Sequence, residues 1–138
     1  MDSDRLKQEI LKNAAEIVRL HSRIHETFLD RAKNPAKRRQ WKEACAEFHA
    51  RYGHLAFPGG YRGALERISS GDPEAMEAAI CFLECRPYFF RWGYMFKDIL
   101  RRCRRAPSEQ AARLKRIEEK LLAWRESKLS KKRASRNP

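Results

Sequence analysis

The chain lacks the features that would place it in a membrane or in a common catalytic family. No run approaches the roughly 20 consecutive apolar residues that span a bilayer, and residues 1–8 contain no apolar segment of the secretory kind. Only six glycines are present, and none belongs to a Gly-rich phosphate loop. There is no Gly-x-Ser-x-Gly elbow and no His-Glu-x-x-His pair. The segment from Phe57 to Tyr61, beside His54, reads as a Pro-Gly turn rather than a catalytic loop, and His49 stands in no catalytic pattern. Strand-like alternation is also missing, which leaves helix as the regular structure. The cysteines Cys45, Cys81, Cys85 and Cys103 include no close Cys-x-x-Cys knuckle. These absences point to a cytoplasmic, non-enzymatic protein with reduced thiols, no cofactor, no bound metal and no membrane partner.

Apolar residues and charge are both plentiful. Hydrophobic residues make up 42% of the 138 positions, with three Trp, four Tyr and seven Phe, enough to build the core that a disordered basic chain lacks. The formal net charge is +13, and it is unevenly spread. Residues 1–33 carry seven Lys/Arg against six Asp/Glu, residues 72–87 are acidic by three, residues 88–106 are basic by five and residues 107–138 by six. A field of this size draws in polyanions.

Periodicity and punctuation predict an all-α fold, a compact bundle of about six helices with long terminal helices. The first runs from Ser3 to Lys33, with Leu6, Ile10, Ile17, Ile24 and Phe28 on one face. Asn34-Pro35 is a cap followed by a first-turn proline, and starts a helix expected to stop at Gly53. A short helix over residues 61–70 follows. Asp72-Pro73 repeats the cap-then-proline start for a helix apolar nearly all round, as buried helices are, with only a narrow strip for Glu77 and Glu84. Pro87 ends it and opens the next helix, to Arg105, so residues 72–105 form a buried central hairpin. No second copy recurs at a fixed period. A last helix over residues 108–128 carries Leu114, Ile117, Leu121 and Trp124 as a packing seam. The domain is expected to span residues 1–129, with a basic, disordered tail over 130–138.

The helix over residues 88–105 is the candidate site. At 100° per residue, Trp92, Met95, Phe96, Ile99, Leu100 and Cys103 share one side, while Arg91, Lys97, Arg101, Arg102, Arg104 and Arg105 fall opposite with Tyr94. Guanidinium forks suit phosphate, and an exposed tyrosine stacks on an unpaired base. Lys37, Arg38 and Arg39 add cations at a helix N-terminus, where they oppose the helix dipole unless an anion is bound. The expectation is a nucleic-acid-binding protein, RNA ahead of DNA, that contacts phosphates without sequence specificity. The alternative is an adaptor or inhibitor that binds an acidic partner protein, and the long terminal helices suggest a homodimer. His21 with His25, and Cys81 with Cys85, have i,i+4 zinc-ligand spacing, but buried thiols and partnered imidazoles are the commoner use of such pairs.

Overall fold

A computed structural model describes residues 2–105 and 109–136, and it is all-α. Among the described residues there are six helices: α1 Ser3–Phe28, α2 Pro35–Ala56, α3 Ala64–Ser69, α4 Pro73–Cys85, α5 Trp92–Arg105 and α6 Ala111–Arg136. The cap-and-proline starts are where the side chains require them. Asn34 Oδ1 accepts from the Lys37 amide at 2.9 Å, and Asp72 Oδ2 accepts from the Ala75 amide at 3.0 Å. Each supplies an acceptor to an otherwise orphaned helical N–H. The core is built around α4, which packs against α1, α3, α5 and α6. Residues 75–83 of α4 are all buried, and α1 and α2 form the most extensive helix pair.

Several boundaries differ from the periodicity reading. α1 stops at Phe28 rather than Lys33, because residues 29–33 form turns closed by Arg31 N–H to Phe28 C=O and Lys33 N–H to Asp30 C=O. Its length is therefore about 39 Å. α2 runs through Gly53 to Ala56, since Ala56 and Phe57 are drawn into the core and outweigh the modest helix penalty of one glycine. α3 starts three residues late, at Ala64, behind the left-handed Gly63. The hairpin of α4 and α5 is present, but Pro87 does not open α5. Arg86 and Arg91 are both left-handed, with φ of 47° and 67°, and the segment between them stays irregular because Phe89 turns inward onto Tyr52 and Phe82. α6 extends to Arg136, taking in residues 130–136 of the stretch expected to be disordered. Lys, Arg and Ala there are good helix formers and no Gly or Pro interrupts them. Pro107 and Ser108, the expected start of this helix, lie outside the described residues.

Candidate nucleic-acid interface

α5 is sharply two-sided. Met95, Phe96, Ile99, Leu100 and Cys103 are buried, and burial pushes the Cys103 thiol up to about 12. Lys97, Arg101, Arg104 and Arg105 are exposed on the other side with Tyr94, which is 73% exposed. Two of the expected arginines are already engaged. Arg104 pairs with Glu118 of α6. Arg102 lies at the edge of the buried face, half-buried, and donates to Ser69 Oγ of α3 at 3.0 Å. Arg91 precedes α5 rather than lying on it; it is exposed, with its guanidinium carbon 5.3 Å from the Phe90 ring centroid. Arg91, Lys97, Arg101 and Arg105 have no carboxylate at ion-pair distance among the described residues.

Lys37, Arg38 and Arg39 occupy the far end of α2. That helix meets the start of α5 at Tyr52, whose hydroxyl donates to the Phe90 carbonyl at 2.7 Å. The 13 helical steps from Arg39 to Tyr52 separate the two basic groups by about 20 Å along α2. The nearby Asp30 pairs with Lys33 at 2.8 Å, and Lys33, with a smaller contribution from Lys37, holds the Asp30 carboxyl below its ordinary range. The two i,i+4 pairs do not meet. His21 stacks on Phe90 at 4.5 Å, whereas Cys81 Sγ lies 3.8 Å from the Ser3 carbonyl at the opposite end of α1. Eighteen helical residues, about 27 Å, separate those ends. His21 is shifted toward its neutral form by burial and by His25, and all four thiols are free. Among the described residues, no group of three or more His, Cys, Asp or Glu side chains is placed to hold a metal ion.

What fastens α6 to α4 is an ionic junction built on a buried carboxylate. Glu77 of α4, 5% exposed, accepts from Ser3 Oγ of α1, from Gln110 Nε2 at 2.9 Å and from Arg113 Nη1 at 2.7 and 2.9 Å. Arg113 also bonds Glu84. Burial works to raise the Glu77 pKa, but the hydrogen bonds from Ser3, Arg113 and Gln110 outweigh it and hold the carboxyl at about 2. α6 is thereby fastened to α4, and Trp124, which the sequence assigns to a packing seam, is left accessible, as is Tyr88. Tyr88 is 64% exposed and Trp124 47%. For Tyr88 the one signal in the sequence is the aromatic density of residues 88–96, in which six of nine positions are Tyr, Phe or Trp and a seventh is Met. No family model matches the chain, and neither a curated protein nor a solved structure matches it.

Proposed function

We propose that this protein binds nucleic acid, RNA ahead of DNA, through sequence-independent phosphate contacts from Arg91, Lys97, Arg101 and Arg105. The observation that carries the reading is that these four cations are exposed and unmatched by carboxylates among the described residues, next to the open ring of Tyr94. Four neutralised phosphates give a log-affinity slope on log salt of about −3 for single strands and about −4 for duplex. Arg101→Glu combined with Arg105→Glu is expected to reduce affinity at low salt by about tenfold or more while leaving the melting temperature unchanged, because neither side chain packs. Absence of binding to both RNA and DNA at low salt overturns the reading.

A second reading, an adaptor or inhibitor for an acidic protein, has its own support. Tyr88, Phe90 and Tyr94 are all exposed near the start of α5, and apolar anchors ringed by arginine are what protein interfaces use. It is favoured if nucleic acid fails to bind and an acidic protein is captured by the wild type but not by the double variant. Pairing of two copies rests on a separate stripe: Leu11, Val18 and Leu29 of α1 and its following turn are exposed, with Leu11 and Val18 seven residues apart. A mass in sedimentation that stays monomeric at all concentrations removes that part of the proposal.

A further inference from the structure

Next to its basic stripe, α5 faces α6 across an open groove of about 210 Å³. Tyr88, Trp92, Phe96 and Trp124 line it, and Arg86, Lys97 and Arg125 contribute to the same wall. The rings meet edge to face, with Tyr88 and Trp92 centroids 4.6 Å apart and Trp92 and Phe96 5.7 Å apart. The volume is below the ~300–1,000 Å³ of pockets that enclose a drug-sized ligand, and suits a single flat ring system. Arg86 also lines a second, polar groove of about 290 Å³ between α4 and α6. There Arg113 and Lys7 are answered by Glu84, while Arg86, Arg116 and Lys120 have no carboxylate at ion-pair distance among the described residues. One arginine thus joins an aromatic groove to a cationic one. Its guanidinium carbon lies 5.7 Å from the Phe96 ring centroid and 6.0 Å from that of Trp124. It does so from a left-handed backbone position, at the end of α4, that ordinarily goes to glycine.

We propose that this junction takes an unpaired nucleobase against the rings of Trp92 and Trp124 and an adjoining phosphate on Arg86, Arg116 and Lys120, so that single-stranded nucleic acid is the preferred ligand. The inference rests on the nucleic-acid reading above and narrows it. Stacking on aromatic rings tolerates any base, in keeping with the lack of sequence specificity. A duplex keeps its bases paired and stacked, and offers the groove only backbone. A free acidic side chain would satisfy the cations but has no flat surface to stack on the rings that line the groove.

The test compares three ligands of roughly ten nucleotides in one buffer: a single strand, the same strand made abasic, and the duplex. The intact strand is expected to bind about tenfold tighter than the abasic one and to quench tryptophan emission. Trp124→Ala is expected to abolish that tenfold preference and leave duplex binding unchanged. Arg86→Gly supplies the residue that the left-handed backbone favours, so the fold is expected to be retained, with a circular-dichroism spectrum like the wild type's, while the intact strand binds several-fold more weakly. Equal binding of intact and abasic strands overturns the base groove while leaving the phosphate reading standing; loss of binding by every ligand at low salt overturns both. A tryptophan-bearing acidic peptide that binds in a Trp124-dependent way where the strand does not assigns the groove to a protein partner and overturns the inference, as does Trp124-dependent self-association.

Discussion

Glu77 shows how far a single residue's role is set by what packs on it. On a helical wheel it belongs with Glu84 to a narrow polar strip, yet it is the one charged residue buried among those described. Burying a carboxylate is tolerated only with charge and hydrogen bonds supplied from several directions, and here α1, Gln110 and α6 supply them. Glu77→Gln keeps the shape and removes the charge, leaving Arg113 with Glu84 alone. A loss of about 3 kcal/mol is expected at neutral pH, at the low end for a broken buried pair. For a chain of this length that is a drop of roughly 10 °C in melting temperature. The pH dependence has a definite sign. The folded pKa lies at about 2, below the ordinary 4.5, so the stabilisation is complete above pH 4.5 and is lost as pH falls from there toward 2. Urea titrations of the wild type and Glu77→Gln are expected to differ most at neutral pH and to converge in acid. At the same scale, Arg102 and Arg104 could not be told from the free arginines of α5 by position, because their partners, Ser69 and Glu118, belong to other helices.

At the scale of elements, local chemistry set the helix starts that carry a side-chain cap. Asn34 and Asp72 cap from their own side chains, so their helices begin where the residues indicate. Gly53 looked like a stop, but the pull of Ala56 and Phe57 into the core carries α2 past it. A methyl group added at Gly53 meets no atom within 4 Å, so Gly53→Ala is expected to stabilise by about 0.5–1 kcal/mol, read as a higher urea midpoint with an unchanged slope. α6 is the opposite case, a helix written in propensity alone over much of its length. Ile117 is buried and Leu114 and Leu121 half-buried, but every described residue from Leu122 onward is exposed. An unpacked helical segment of this length is marginal in water. The amides beyond Arg125 are therefore expected to exchange with deuterium quickly, while those of residues 75–83 in α4 exchange slowest; slow exchange across residues 126–136 would require a tertiary contact that this fold does not contain among the described residues.

For the whole molecule, stability and charge reside in different places. The core lies among α1 to α5 and the first half of α6, whereas Lys131, Lys132, Arg133 and Arg136 lie in the exposed end of α6. Deleting residues 130–138 is expected to leave the melting temperature unchanged. It removes four of the 31 Lys and Arg side chains, and is expected to weaken polyanion binding and flatten its salt dependence. The amino-acid sequence by itself determined the all-α class, the buried α4, the two-sided α5 and the exposure of Lys97, Arg101 and Arg105, because period and capping are local and need no partner. Only the tertiary structure decided which cations are neutralised, that the Lys37 cluster stands apart from α5, and that Arg86, Trp92 and Trp124 converge. The last of these depends on how α6 is fastened through Glu77 and Arg113, a contact between residues 36 positions apart that no helical period encodes.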